Sequence, residues 1–558
     1  MIKLCDTIVK TEVLIVGGGV AGLQASIAAA ENGAKVLVVE KANTLRSGAG
    51  AMGNDHFMCY IPHIHGDDID LVMKEIGQTM EGFGNDWNLM RNMMQRSFEL
   101  VQKWESYGIT MRPTGEYVFE GHSIPGNQRY HLKFDGKNQK NALTNAAKKS
   151  GVEIMNKVMI NEILQDDEGN VVGALGIRIS GVEPEVIIFQ AKVVMLATGE
   201  TTRLYPGVNP AYLFNVNGCP ANTGAFIMGY RLGAKIVNAD LPYVHCGPKF
   251  FARSGKGTWI GVISDVKGKA VGPFIGKPSR ELGDPTAEIW TSVFKDRLKD
   301  GTGPTYMNCT EVSDEDLEHM KRAFVSEGIS GLTGFMEQYG IDLRKDMIEF
   351  GTYEYQLYFR GLEVDQCSMT NVKGLFAAGS LCGNLRGSVT NAAVMGQIAG
   401  ENMAKMAKEL KERTITHSHS VIQEKIKLYS QFLERRNGAV WKEVNATLQQ
   451  IMNDYVGMNV RSETMFYAAY KYVTDLQRYA QEQLKAENSH ELMRCLEVLD
   501  LLELAKVVIL VSNNRKESRP PCHLHTDYTY TNPLLNDKFQ TIWKDTNGIH
   551  MEFRKQIL

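Results

Sequence analysis

Near its N-terminus the chain carries an apolar run, Val13-Leu14-Ile15-Val16, followed at once by Gly17-Gly18-Gly19-Val20-Ala21-Gly22. A second apolar run, Val36-Leu37-Val38-Val39, then ends on Glu40. No other feature narrows the fold as far. The β-branched runs suit buried parallel strands. Gly17 permits a tight turn, Gly19 lets a pyrophosphate approach the backbone, and Gly22 lets a helix pack close on the strand. That helix is predicted over about 20–32, with Ala25, Ala28, Ala29 and Ala30 keeping it slim. Val20 and Ala21 open it, so its free N–H groups and positive dipole end face the phosphates. Glu40 is placed to accept both hydroxyls of an adenosine ribose, with Lys41 beside it. Strand, glycine turn, helix, strand and acid together predict a dinucleotide site and therefore redox chemistry.

The chain has 558 residues, too many for one core, so two or three domains are expected. Its 43% hydrophobic and 22% charged content is that of a globular protein. The net charge of −3, without charged blocks, argues against a nucleic-acid partner. Residues 1–10 lack a signal-peptide pattern and no stretch is apolar enough to span a bilayer, so a cytoplasmic protein without direct membrane insertion is expected. The nine cysteines are scattered with no CxxC pair, so no metal site or cluster is expected in this chain, and the thiols read as free.

Further along, residues 66–107 and Asn138–Lys149 read as helices, and 152–163 and 171–179 as strands. Val193–Leu196 is a buried strand that runs into Ala197-Thr198-Gly199, and 221–233 a helix. Residues 240–345 form a mixed stretch. Leu375–Ala377 leads into Ala378-Gly379, and 391–410 is a helix of small residues. Several amphipathic helices follow over 418–510, with 511–558 irregular. One glycine unit with two later strand–glycine turns suits FAD better than NAD, and no second fingerprint supports a nicotinamide domain.

Several motifs fall in one order: the opening unit, the glycine run Arg46–Gly53, Phe134-Asp135-Gly136, Ala197-Thr198-Gly199, Asn222-Thr223-Gly224, Met228–Ala234, Gly303-Pro304-Thr305-Tyr306-Met307, Gly374–Gly379 and Glu517-Ser518-Arg519. In this the chain resembles the flavoprotein subunits of fumarate reductase, succinate dehydrogenase and adenylylsulfate reductase. It is closest in pattern to the adenylylsulfate reductase α subunit. The resemblance implies an α/β fold: a Rossmann-like FAD-binding domain (1–240 and 351–410), an inserted α+β capping domain (241–350), a C-terminal helical domain (411–510) and a C-terminal segment (511–558). It also implies a ferredoxin-like iron–sulfur partner subunit, with [4Fe-4S] clusters only in that partner. Ser47, Gly48 and Gly53 would wrap the flavin, Val158, Ala197, Thr198 and Gly199 would line the site, and Gly379 and Ser380 would meet the ribityl chain. Thr390 and Asn391 would give backbone N–H groups to the pyrimidine end.

The departures narrow the substrate. Membrane members carry Arg-Ser-His, whose His bonds the flavin; here Arg46-Ser47-Gly48 implies non-covalent FAD. The fumarate-type proton-donor Arg falls at Ser292, and Gln356–Gly361 lacks the family His. Only Arg386 lies near the dicarboxylate-clamping position, and Ser380 stands where the family has an acid. For adenylylsulfate reductases, the flavin-stacking Trp would fall near Asn217. The candidate catalytic residues are His245, whose imidazole titrates near working pH, and Arg253 and Arg386, whose guanidiniums suit a small anionic substrate. His56 and Tyr60 are weaker candidates for the pocket wall. The expected function is an FAD-dependent oxidoreductase subunit resembling adenylylsulfate reductase. The alternatives are a fumarate-reductase-like enzyme acting on an activated double bond, a flavin electron-transfer protein without its own substrate, and an oxidase like the L-aspartate oxidases.

Overall fold

The computed structural model describes the chain except residues 1–2, 6, 80–83, 121–126, 207–222, 250–258, 273–275, 279, 281–290, 327–329, 358, 458–460 and 521. The glycine unit folds as its apolar runs require. β1 (Val13–Val16) passes through the turn into α1 (Val20–Glu31) and on to β2 (Val36–Glu40). β3 (Glu153–Asn156), β4 (Val193–Leu196) and β5 (Leu375–Ala377) complete a parallel sheet in the order β5-β4-β1-β2-β3. β1, β2, β4 and β5 are buried at every position, which is why their sequences are continuous apolar runs rather than alternating ones.

α2 (Ser388–Glu409) lies against α1. The contact is backbone-close: a Cβ at Gly396 would sit 2.7 Å from the Ala21 carbonyl oxygen, and one at Gly400 would overlap that of Ala25. Small residues on both helices therefore set their separation. An antiparallel sheet of Val158–Gln165, Val171–Arg178 and Glu185–Gln190 adjoins this unit, with Lys3–Leu4 and Val9–Lys10 on its edge. Lys157, at φ +62°, separates β3 from Val158–Gln165. The single strand expected over 152–163 is thus two strands in two sheets.

Tyr243–Pro248, Ile348–Gln356, Thr305–Asn308 and Val262–Ser264 form another sheet. It has its own core, in which Trp259 meets Phe350 edge-on at 5.2 Å. The helices Ser420–Glu434, Trp441–Val456, Glu463–Gln483 and α3 (Ser489–Asn514) follow. They share the main core with the FAD-type sheet, and α3 is buried nearly all round. Residues 511–558 are not irregular throughout: Lys538–Asp545 and Gly548–Lys555 form a hairpin that pairs onto Ile236–Val237. Of the helix expected over 221–233, the described part is Ile227–Arg231. No helix among the described residues is long and apolar enough to cross a membrane.

Candidate functional site

A cleft with about 1130 Å³ of open space runs over the C-terminal ends of β2, β1, β4 and β5, where ligands of open α/β sheets bind. Gly17, Gly19, Val20 and Ala21 line its middle. Glu40, Lys41 and Val158 lie on one side, and Ala197, Thr198, Gly199, Gly379 and Ser380 on the other, with Gly48 over the top. Gly17 sits at φ +104°, and a Cβ there would lie 2.5 Å from the Ala197 oxygen. Gly19 has no protein atom closer than 4.0 Å to a Cβ position, so its empty face belongs to the cleft. Gly22 is outside the lining; a Cβ there would overlap the Gly17 oxygen. Ser47 is buried and Gly53 ends the glycine run at φ +98°, both beside the cleft rather than in its wall.

Glu40 shapes the turn itself. Its Oε2 accepts the Gly18 N–H at 2.6 Å and its Oε1 the Ala42 N–H at 2.7 Å. Buried Lys140 donates to the Gly18 oxygen from below, and Gln139 donates to Gly50 and Asn54 at 2.7 Å each, pinning the glycine run. The Lys41 ammonium pairs with Glu497 of α3 at 2.6 Å. Glu497 also takes Arg203 at 2.7 Å and Arg494 at 2.9 Å. Burial alone would raise the Glu497 carboxyl, but Lys41, Arg203 and Arg494 outweigh it and bring it down to about 2.

On the opposite side the sequence reading missed Glu200. It follows Gly199 directly, is 2% exposed, lines the cleft, and accepts the Ser380 hydroxyl at 2.8 Å. Nothing in the sequence pairs the residue after one strand with the residue after another; the adjacency of β4 and β5 does. Asn54, Thr223, Ser388 and Val389 also line the cleft without having been singled out as cofactor contacts. Ser388 opens α2 at φ +51° beside Gly387 at φ +138°, a left-handed pair that turns the helix start toward the cleft.

None of the other candidates among the described residues lines the cleft. Thr390 and Asn391 are fully buried in the first turn of α2 and outside the cleft wall. The Asn391 N–H donates to Gly387 at 3.0 Å and its side chain to Leu385 at 2.7 Å. Its backbone donor is therefore spent inside the helix, a correction to the expected flavin contact. The N–H groups that helix geometry leaves at this end are those of Ser388, Val389 and Thr390. Arg386 is 2% exposed, two residues before Ser388, and its N–H donates to Asn85 at 2.5 Å. His245 occupies the irregularity in the strand Tyr243–Pro248, where the register shifts between Val244 and Cys246. The His245 side chain lies outside the described part. Arg253 and Asn217 lie outside the described residues altogether. Tyr60 donates to the Gly66 oxygen at 2.7 Å and His56 meets Asp55 at 2.6 Å; neither lines the cleft. Burial and the neighbouring Arg461 hold His523 well below the ordinary histidine value. Among the described residues no group of three or more His, Cys, Asp or Glu converges on a metal position.

The cleft suits an extended dinucleotide. It has a carboxylate on each side of a glycine turn, and the starts of α1 and α2 both open on it. The hydroxyls of Thr198 and Thr223, in its wall, are buried with no partner among the described residues, and such groups are costly unless a ligand pairs them. These features define a flavin-dependent oxidoreductase. The family model described as FAD binding domain matches residues 12–394, and that of the fumarate reductase flavoprotein C-terminus matches residues 445–557. The chain therefore belongs to the FAD-binding-domain family, carries the C-terminal domain of fumarate reductase flavoproteins, and its cofactor is FAD. It is similar to one of the subunits of the CoM/CoB fumarate reductase of Methanothermobacter marburgensis, 24% identical over 95% of this chain and 98% of that one. It is also similar to the fumarate reductase flavoprotein subunit of Haemophilus influenzae, 22% identical over 97% and 93%. In structure it resembles adenylylsulfate reductase from Archaeoglobus fulgidus, with a TM-score of 0.85 and 22% identity over 100% and 96% of the two chains. The flavoprotein of E. coli quinol fumarate reductase gives 0.78 and 19% over 100% and 97%.

Proposed function

We propose that this chain is the flavoprotein subunit of a cytoplasmic, adenylylsulfate-reductase-like enzyme that acts on a small anionic substrate and exchanges electrons with a ferredoxin-like iron–sulfur partner. The observation that carries this reading is a dinucleotide cleft in a chain similar over its whole length to an adenylylsulfate reductase chain, whose sequence has neither a second glycine fingerprint nor a cluster motif. When bound, FAD supplies the two-electron chemistry and splits it into single electrons for the partner. The chain supplies the rest. Glu40 and the Gly17–Gly22 turn hold the adenosine and diphosphate, and the start of α2 stabilises negative charge at the far end. Arg386, in the turn leading into α2, is the anion-binding guanidinium, with Arg253 as a second. His245, at the strand irregularity, gives or takes the substrate proton. Gly48 at φ +80° offers no side chain for a covalent bond to the flavin.

The second reading, reduction of an activated double bond, is favoured by the near full-length similarity to the M. marburgensis fumarate reductase chain. One spectrum separates the two. With the native complex under anaerobic conditions, sulfite is expected to bleach the flavin band, and AMP then to drive reduction of the iron–sulfur absorbance. No response to sulfite, together with reoxidation of the reduced flavin by fumarate, would replace the first reading with the second.

A further inference from the structure

Among the described residues two acidic side chains line the cleft, Glu40 and Glu200, and they stand on opposite sides of the glycine turn. Glu40 ends β2 and Glu200 follows β4, the two neighbours of β1 in the sheet. A flavin dinucleotide has the same layout: a diphosphate in the middle, the adenosine ribose to one side and the ribityl polyol to the other. With the diphosphate over the turn at the end of β1 and the ribose against Glu40, the polyol runs over β4 and β5. We infer that Glu200, steadied by Ser380, is the carboxylate that binds the ribityl hydroxyls of FAD.

The chemistry agrees with the placement. Ser380, at the end of β5, has only a hydroxyl, and it spends its proton on Glu200 Oε2 at 2.8 Å. That bond fixes the carboxylate in the cleft wall. A carboxylate only accepts hydrogen bonds, and a polyol is a donor-rich partner. Glu200 is 2% exposed, and a buried carboxylate is stabilised by hydrogen-bond donors such as a polyol offers. The hydroxyls of Thr198 and Thr223 lie in the same wall without partners among the described residues. The negative charge on this side thus comes from the turn after β4, next to the turn after β5 that carries Ser380.

The test is FAD binding to the apoprotein, followed by flavin fluorescence, with FAD and with three analogues lacking the 2′, 3′ or 4′ ribityl hydroxyl. The wild type is expected to bind at least one analogue about tenfold more weakly than FAD, the strength of one charge-assisted hydrogen bond. Glu200→Ala is expected to bind FAD about tenfold more weakly and to lose that discrimination, whereas Glu40→Ala weakens binding but keeps it. If Glu200→Ala does not fold, Glu200→Gln carries the same comparison at nearly constant volume. A Glu200 variant that folds and still ranks the analogues as the wild type does overturns the inference, as does one that binds FAD with wild-type affinity.

Discussion

Gly19 and Gly22 belong to one turn but answer to different neighbours. A methyl on Gly19 meets no protein atom within van der Waals distance and projects into the cleft, whereas one on Gly22 runs into the Gly17 oxygen. Gly19→Ala is therefore expected to leave the apoprotein within about 1 kcal/mol of wild-type stability and to weaken FAD binding by about tenfold or more, or ~1.4 kcal/mol. Gly22→Ala is expected to cost about 1–3 kcal/mol through overpacking even without the flavin. Thermal melts of the two apoproteins, set beside FAD titrations, check this; equal melting points would contradict the division of roles. These roles were legible because each glycine answers to a local steric demand that its spacing encodes. Glu200 was not legible: after Ala197-Thr198-Gly199 it reads as a loop residue, and its meaning comes from Ser380, 180 positions away along the chain. Asn391 failed for a subtler reason, since which N–H groups remain at a helix start depends on where the first turn closes, here on Gly387.

At the scale of elements, α3 reaches across to the cleft through Glu497, whose carboxylate gathers Lys41 from the end of β2 and the fully buried Arg203. Its folded value, about 2, lies below the ordinary 4.5. The stability it contributes is therefore complete above pH 4.5 and is lost as the pH falls toward 2. Glu497→Gln removes the buried charge shared by Lys41, Arg203 and Arg494 and is expected to cost about 3–5 kcal/mol at neutral pH. That difference narrows as wild type and variant are both acidified below pH 4. Thermal midpoints across pH 3–8 measure it, and a gap that stays constant on acidification would contradict the assignment. Element types were readable where a continuous apolar run or a run of small residues adjoins a glycine turn, as in β1, β2, α1 and α2. Two were not. Lys157 interrupts 152–163 with a left-handed residue that no turn composition announces. The C-terminal hairpin carries a turn signal in Asn547-Gly548, yet its second strand is largely exposed and lacks the alternation that marks a half-buried strand.

In the whole molecule the FAD-type sheet and the C-terminal helices share one core, while the segment around Trp259 and Phe350 has its own. That division explains what the sequence carried. Motifs tied to the backbone of the shared core, such as the glycine turn and the strand–glycine ends of β4 and β5, fall where the cleft is. Of the substrate-side candidates, Arg386 is buried in the turn before α2 and His245 sits at a register shift in its strand, while Arg253 lies outside the described residues. The central claim is that this cleft holds FAD through contacts alone, with Gly48 in place of a flavin-bonding side chain. The most direct test is to precipitate the native protein with acid and measure the flavin in the two fractions. FAD is expected in the supernatant at about one per chain, as one dinucleotide fingerprint implies, with a colourless pellet. Flavin retained on the precipitated polypeptide, or a native protein that neither contains FAD nor takes it up, would contradict it.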